Sequence, residues 1–520
     1  MTRAISFTIL LLTLAVQLAP ARGQVAAEEA KTQTVRGVVF HDISENGVLD
    51  EGEMPLPGVR VSNGRDVALT DVNGQYRLAV DDDTVLFVIK PRGWRTAVSA
   101  TMLPRFYYVH KPAGSPESQF PGLAPTGPLP DSVDFPLYPQ DEPDRFQVIL
   151  FGDPQARNQI EIDYLARDVI EELAGTPTAF GVTLGDITFD NPSMFEPMTE
   201  TVAMLGVPWY NVIGNHDFDH AAGLEHNGDA YKRVFGPSYY SFDHGPVHFI
   251  VINSVEWSID KQGKQGYRGG MGTRQLAFIE NDLASIPEEQ PVVLLMHIPI
   301  GKMYDRDRLF RMIEKRPSCI SISAHTHTHE HRFIGQEDDW RGAAPHHHIV
   351  HGTTSGCWWK GHPDERGIPH ATMSDGTPNG YSIMTFDGAD CQLDYKAASR
   401  DRSYQMQIHA PDAVSSADAT KTTVLANVFN GSERSTVEMR VGDGDWIAMN
   451  KTFVADPAYR ALAEANNNMP QPRPSSHMWA VKLPPGLSPG VHLIAVRTTD
   501  MHGRSCTGYR VLRIQPDDAS

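Results

Sequence analysis

Cysteine is scarce in this chain: Cys319, Cys357, Cys391 and Cys506 are the four in 520 residues. Four thiols so widely spaced exclude a disulfide framework, and Cys319, inside the strand-like run CISIS, reads as a buried thiol. Basic side chains are also in deficit. Lys and Arg number 45 against 64 Asp and Glu, a formal charge of -19. That balance excludes a nucleic-acid scaffold, which needs basic stripes, and it means that any phosphate site must attract its ligand locally. Long apolar runs are missing beyond the N-terminus, so nothing later is expected to span a bilayer. The one early run, Ile5 to Leu18, follows Arg3 and precedes Ala21-Arg22-Gly23. This pattern is expected to be a cleaved secretory signal over residues 1–23, sending the chain to the periplasm or the extracellular space with no membrane segment left. No cysteine near the cut offers a lipid attachment point. Internal repeats and low-complexity tracts are absent as well.

What is there is chemistry at strand ends. Gly152-Asp153-Pro154-Gln155, Gly185-Asp186, Gly214-Asn215-His216-Asp217 and Ala324-His325-Thr326-His327 each follow an apolar run, and so does the lone His297. The runs RFQVILF, FGVTL, PWYNVI, CISIS and PVVLLM read as buried strands. In an open α/β sheet such strand ends meet at one crevice, where ligands bind. Asp153, Gln155, Asp186, Asn215, His297, His325 and His327 therefore converge. The set fits two divalent cations sharing a carboxylate, which can make hydroxide from water and polarise a phosphoryl group. Alone, a strand-end Asp is more often a helix cap and a lone His more often packed; the joint occurrence carries the argument.

The organisation around these motifs is threefold. Residues 33–140 alternate apolar and polar residues between Gly, Asn and Asp turns and read as a β-sandwich, with a Pro-rich stretch, Pro121 to Pro143, leading out of it. Residues 145–400 alternate strands with helical patterns, the signature of an α/β sheet domain, and SYYSFDHGPVHFIVIN adds an antiparallel pair. Residues 404–520 return to strands, interrupted by a polar, Pro-rich insertion, Ala455 to Ser476, and read as a C-terminal all-β domain.

The ordered motif set resembles the calcineurin-like metallophosphoesterases over roughly Phe146 to Tyr395. The flanking β-domains resemble those of secreted multidomain members. The resemblance implies a central αββα sandwich and a metal-dependent phosphoric ester hydrolase. It assigns Asp153 and His327 to a first metal, Asn215, His297 and His325 to a second, and Asp186 to both. His216 is expected to face the substrate and protonate the leaving oxygen, and Asp217 to orient His216 or a neighbouring backbone. The chain departs from the family pattern twice, with Gln155 where His is common and Ala324 where Gly is common. Gln155 offers an amide oxygen in place of an imidazole nitrogen. An oxygen-rich first site suits Mn²⁺, Mg²⁺ or Fe²⁺ relatively better than a nitrogen-rich one does, so of the expected ions, Mn²⁺, Fe²⁺ or Zn²⁺, Mn²⁺ is favoured. Two dications, two carboxylates and a hydroxide leave a local charge of about +1 to hold a phosphoryl anion.

Around the site, Asp190, His220, Trp358, Trp359 and Asn379 are candidates for substrate contact, with turn chemistry, buttressing or core packing as the competing roles. The tract His346, His347, His348 and His351 is expected to be structural, since alternation puts His347 on the opposite face. In the N-terminal domain, Asp42, Ser44, Asn46, Asp50 and Glu53 match the spacing of a calcium loop, against the weakness of Ser44 as a ligand. The expected function is an exported dimetal phosphoesterase acting on small phosphorylated mono- or diesters by metal-activated hydroxide. The rival is a secreted binding or adhesion protein built on a catalytically weak scaffold. Oligomeric state is not encoded in any of these signals.

Overall fold

Each apolar run that precedes a motif forms a strand in the computed structural model, which describes residues 32–517. The expected leader at 1–23 lies outside the described residues. Arg145–Phe151, Phe180–Thr183 and Trp209–Asn211 run parallel, and Gly380–Asp387 with Asp390–Ala397 extend the same sheet antiparallel. A second sheet orders Tyr240–His244, Val247–Ile252, Val292–Met296, Cys319–Ser323, His346–Val350 and Glu330–Ile334. Its four inner strands are parallel, and the expected antiparallel pair closes one edge at His244-Gly245-Pro246.

Side-chain alternation decides which face goes where. Phe146, Val148, Leu150, Phe180 and Val182 share an apolar core with Phe249, Val251, Val293 and Leu295 of the other sheet. Ile149 and Phe151 point the other way, into a core with Leu165 of helix Gln159–Leu165 and Phe195 and Met198 of helix Phe195–Val202. Helices Gly272–Ala284 and Arg306–Ile313 bring Leu276, Ile279, Leu309, Phe310 and Ile313 to the core of the six-stranded sheet. Strands covered on both faces read as unbroken apolar runs, which is why these were visible in the sequence. A bridge between Gly152 and Thr353 ties the strand ends of the two sheets together.

Strand Gln33–His41 pairs with Met54–Pro55, Gln75–Val80 and Phe135–Pro139, and Thr84–Ile89 pairs with Arg60–Ser62 and Tyr107–His110. Toward the C-terminus, one sheet holds Thr423–Val428 and Met478–Lys482, and another holds Thr436–Val441, Gly490–Thr499 and Ser505–Gln515. Val424, Met439, Trp479, Val496 and Leu512 form a core of their own there. The insertion Ala455 to Ser476 is partly helical, with Asp456 capping Pro457–Ala465 by accepting from Tyr459 N. Among the described residues no helix is long and apolar enough to cross a membrane.

The N-terminal strands have no separate core. Val35, Phe87 and Phe135 join the apolar cluster of the central sheets, and the Phe87 ring meets Phe278 at 5.4 Å. A closed ionic ring reinforces the junction. Arg60 donates to Asp243 at 2.6 Å and to Asp282 at 3.1 Å, while His248 donates to the same two carboxylates at 2.7 and 3.0 Å. Burial by itself would lower the His248 pKa, but Asp282 and Asp243 outweigh it and hold it above its ordinary value. His248 and Arg60 in turn outweigh burial at Asp243 and Asp282 and lower both.

Removing one member strands the others in the interior. Arg60→Met is expected to cost about 3–5 kcal/mol, the scale of a broken buried ion pair, read as a drop in Tm. A loss below about 1 kcal/mol would make the ring no better than a surface pair. The sign of its pH dependence follows from the shifts. The raised His248 pKa stabilises fully below about pH 6.5, its unfolded value, and that share is lost as pH rises through the folded value. The lowered Asp pair stabilises above about pH 4 and loses its share on acidification. The Tm difference between wild type and His248→Gln should therefore be largest near pH 5–6 and shrink on the alkaline side.

Candidate metal centre

The loops that follow the strands are held in an unusual backbone state. Among the described residues thirteen non-glycine residues have positive φ, and eight of them are Asp153, Gln155, Asp186, Asp190, His325, His327, Trp358 and Trp359. Each such residue costs about 1–3 kcal/mol and persists where the surroundings over-determine it, as at ligand clamps. The motif glycines serve close approach. A Cβ on Gly185, at φ +89°, would lie 2.6 Å from His297 Nδ1, and one on Gly214 would lie 2.0 Å from Asp186 N. Ala324 keeps negative φ and donates its N–H to the His297 carbonyl at 3.0 Å, so the small replacement fits without strain.

The side chains meet as the strand-end argument requires. Asp186 Oδ2 lies 3.2 Å from His297 Nε2, which lies 3.1 Å from Asn215 Oδ1 and 3.1 Å from His325 Nδ1. Asp186, His297 and His325 offer ligand atoms that all fall within 4.8 Å of one another. His327 Nε2 stands 3.8 Å from Asp153 Oδ1. The proton inventory shows that these atoms fit cations better than one another. His297 Nδ1 faces the Leu184 carbonyl at 2.9 Å, and His327 Nδ1 faces the Gly356 carbonyl at 2.7 Å. Each carbonyl needs a donor, so in the neutral rings the lone pair sits on Nε2. Burial would lower the His297 pKa, but Asp186 and Asp153 outweigh it and raise it to about 9, so without a cation Nε2 holds one proton for three acceptor atoms, those of Asp186, Asn215 and His325. Asp153 Oδ1 and Gln155 Oε1 are also buried without a hydrogen-bond partner.

Electrostatics repeat the point. Burial drives the Asp153 carboxyl above its ordinary value, with Asp186 adding to the rise against the pull of His297. At Asp186 burial is outweighed by His297 and His216, and the carboxyl is lowered. Burial also pushes His325 down to about 3 and His327 down to about 4, so both are neutral donors. Buried carboxylates and imidazoles pointing inward are the donor set of two divalent cations, one of which would displace the His297 proton: Asp153, His327, Asp186 and Gln155 would hold one, and Asp186, Asn215, His297 and His325 the other.

Gln155 does more than offer an oxygen. Its Nε2 donates to Asp186 Oδ2 at 2.5 Å, and its backbone N–H donates to the Asp186 carbonyl at 2.9 Å. The amide steadies the Asp186 carboxylate and would leave Oε1 free to coordinate a cation, the alternative being a hydrogen-bonding role alone. An imidazole in its place is expected to favour nitrogen-loving metals. Gln155→His should raise Zn²⁺ affinity at least about tenfold relative to Mn²⁺ when metal-stripped protein is reloaded with each ion. Equal affinities and an equal activity order in the two proteins would leave Gln155 as a hydrogen-bonding partner of Asp186 and nothing more.

His216 stands beside the donor set. Its Nδ1 donates to Asp190 Oδ1 at 2.8 Å, its ring stacks on Phe189 at 4.2 Å, and its backbone N–H donates to Asp186 Oδ1 at 2.9 Å. Burial would lower its pKa, but Asp190 and Asp186 outweigh burial and raise it. Asp217 does not touch His216: its two oxygens accept from Thr188 N and Gly214 N at 3.0 and 2.8 Å, so of its two expected partners the backbone is the one it has. His220 Nε2 reaches the same Asp190 oxygen at 3.3 Å and packs on Trp257. Nothing in the sequence flagged Phe189, or Ser254, whose Oγ accepts from His297 N and Ile298 N at 3.2 and 2.8 Å.

The remaining candidates separate. Trp358 is half-buried and stacks on His327 at 4.1 Å, with Lys360 over its ring. Trp359 is 5% exposed and packs on Tyr164 in the helix-side core, away from any ligand. Asn379 is not brought to the donor set either. Its amide donates to Asp168 Oδ2 and the Thr354 carbonyl at 2.9 and 3.1 Å, which fixes a loop. The histidine tract is structural. Ser321 Oγ contacts His346 and His348, each at 2.7 Å, and His347 faces the other way to meet His331 at 2.9 Å. In the N-terminal loop, Asp42 accepts from Tyr138, Gly47 N, Asn46 N and Ser44 Oγ, Asp50 from Asn46 and Ser44, and Glu53 from Ile43 N and Ser44 N. These bonds draw Asp42, Asp50 and Glu53 into one closed loop, with the Ser44 hydroxyl donating to Asp42 and Asp50.

Comparison with known proteins places this geometry. The model of the calcineurin-like phosphoesterase matches residues 146–331, that of the N terminal of calcineurin-like phosphoesterase residues 43–122, and that of its C terminal residues 348–505. A curated relative, the probable glycerophosphodiester phosphodiesterase GpdQ of Arcobacter nitrofigilis, is 24% identical over 181 residues, 32% of this chain. The chain spans 63% of that relative's length. Among solved structures, purple acid phosphatase PPD1 from yellow lupin (Lupinus luteus) seeds is 15% identical, covering 71% of this chain and 67% of its own, with a TM-score of 0.37. CopC from Methylosinus trichosporium OB3b is 14% identical, covering 22% of this chain and 94% of its own, with a TM-score of 0.15. Core, N-terminal and C-terminal models of one family follow one another along the sequence, and the chain belongs to the calcineurin-like metallophosphoesterases.

Proposed function

We propose that this chain is an exported phosphoesterase that uses two divalent cations, Mn²⁺ favoured, to hydrolyse phosphate mono- or diesters of small substrates. One observation carries the reading: carboxylate, amide and imidazole acceptor atoms crowd around His297 Nε2 and Asp153 Oδ1 with fewer protons than acceptors. When bound, such a cation pair polarises the phosphoryl oxygens and lowers the pKa of water. The chain's own groups supply the rest. Gln155 and the His216 N–H fix the Asp186 carboxylate from both sides. Asp190 accepts the Nδ1 proton of His216 and so leaves Nε2 as the atom that delivers a proton to the departing oxygen. Asp217 and Ser254 lock the loops that carry Asn215, His216 and His297.

The two sheets with helices on their outer faces are read as an αββα sandwich over residues 145–400, between β-domains at 33–140 and 404–520. Export rests on the leader-like residues 1–23. The name of the GpdQ relative puts diesters first among the esters to test. The test reloads metal-stripped chain with Mn²⁺, Fe²⁺ or Zn²⁺ and offers 4-nitrophenyl phosphate and bis(4-nitrophenyl) phosphate. Nitrophenolate release that a chelator abolishes is the expected result. No release with any of the three metals on either ester would overturn the reading.

A further inference from the structure

Strands Val255–Ile259 and Gln265–Gly269 form a two-stranded sheet of their own beside the metal centre. Successive side chains of a strand point to opposite faces. Val255, Trp257, Ile259, Gln265, Tyr267 and Gly269 therefore share one face, while Glu256 and Arg268, paired at 2.6 Å, share the other. The face with the two rings is turned to the donor set. Trp257 and Tyr267 stand directly opposite each other, their ring centroids 5.2 Å apart. The Tyr267 ring meets His325 edge-on at 6.0 Å, and the Trp257 ring lies 4.6 Å from that of His220. The Gln265 amide donates to the His220 carbonyl at 3.2 Å and ties the hairpin to that loop. His220 in turn reaches Asp190 at 3.3 Å, and Asp190 holds His216 at 2.8 Å. The hairpin is thus a wall that runs from a cation donor, His325, to the partner of the proton donor, His216.

The base of this wall is fixed and its rim is open. Trp257 packs on Phe218 at 5.9 Å, against the helix-side core. Tyr267 is 41% exposed and Ile259 is 50% exposed. Exposed apolar side chains gathered at a cleft mark a surface that a ligand covers. Which part of a ligand follows from the proton donor. His216 delivers its proton from Nε2 to the departing oxygen, so the group attached to that oxygen leaves past the wall. The ring-bearing face carries no charged side chain, so a charged leaving group gains nothing from it. Two aromatic rings inclined at 54° offer both edge and face to a third flat ring.

We propose that Tyr267, seated on Trp257, is a stacking platform for the leaving group, so that the preferred ester carries a flat ring, an aryl group or a nucleobase, on its departing side. This rests on the phosphoesterase reading, and the test separates the two. With Mn²⁺-loaded chain, kcat/KM is compared for benzyl, cyclohexylmethyl and methyl phosphate, each as the monoester and as the symmetric diester, by the alcohol released. All three alcohols are unactivated, so the comparison reads the ring and its flatness. Wild type is expected to favour benzyl over methyl by at least about tenfold and over the puckered cyclohexylmethyl by about threefold, both carried by KM. Tyr267→Ala should bring the two ratios toward one and Tyr267→Phe should keep them, with metal content unchanged in both variants. A benzyl-to-methyl ratio near one, or an equal loss on all the esters in Tyr267→Ala, would overturn the platform. A cyclohexylmethyl ester as good as the benzyl ester would overturn it too, leaving an apolar contact without stacking. If no ester turns over, the phosphoesterase reading fails. Calorimetric affinities of benzyl-, cyclohexylmethyl- and methylphosphonate, which hold no ester to cleave, for the same proteins then decide the platform by the same ratios.

Discussion

Asp186→Asn is expected to reduce turnover by at least about a thousandfold, the scale of removing one preorganised electrostatic group, and to lower metal content at both positions. The argument is one of charge and geometry. Asp186 is 1% exposed and touches both halves of the donor set: His297 and, through Gln155, the Asp153 side. A carboxylate between two dications about 3.5–4 Å apart offsets their mutual repulsion; an amide of the same shape does not. The amide also replaces an oxygen with N–H donors facing Gln155 Nε2 or His216 N, both of which are donors themselves. Metal analysis of the purified variant and its rate on the better nitrophenyl ester decide the matter. Two full equivalents with a rate near wild type would show that Asp186 does not bridge. Because the substitution also disturbs buried hydrogen bonds, Tm is measured alongside, and a folded, metal-poor, inactive protein is the expected state.

The donor set was legible in the sequence because the fold spells it in a simple way. Strands buried on both faces are written as unbroken apolar runs, and the ligand types stand directly after them. Asp153, Asp186, Asn215, His297, His325 and His327 needed only strand register to be placed together. What resisted was whatever depends on the path of a loop. Trp358 and Trp359 are neighbours, both at positive φ, yet one stacks on His327 and the other fills the core. Asn379 resembles a cleft residue by its Gly and Pro neighbours and is consumed by Asp168. The seating of the insertion was invisible because it depends on a helix, Pro457–Ala465, whose docking joins residues about a hundred positions apart. The N-terminal strands were read correctly as β, but not that their core is continuous with that of the central sheets.

His216→Ala is expected to keep both metals and to lose about two to four orders of magnitude in rate, the usual contribution of a general acid. The imidazole is not among the converging acceptor atoms: its Nδ1 is taken by Asp190, and a quarter of its side chain is exposed to the cleft. Because Asp190 and Asp186 outweigh burial and raise its pKa, the ring keeps a proton on Nε2 for a departing oxygen in place of a lone pair for a cation. The size of the defect must depend on that oxygen. An alkyl alkoxide needs a proton to leave, whereas 4-nitrophenolate leaves without one, so the deficit should be largest for alkyl esters and smallest for nitrophenyl esters. Asp190→Asn should move in the same direction by a smaller amount, since an amide still meets Nδ1 but no longer raises the ring's affinity for its proton. Its effect should vanish in the His216→Ala background, because Asp190 acts through that ring. Additive losses in the double variant would assign Asp190 a separate contact, and loss of metal from His216→Ala would make the imidazole a ligand. A deficit equal across leaving groups would leave His216 holding the phosphoryl group and donating no proton.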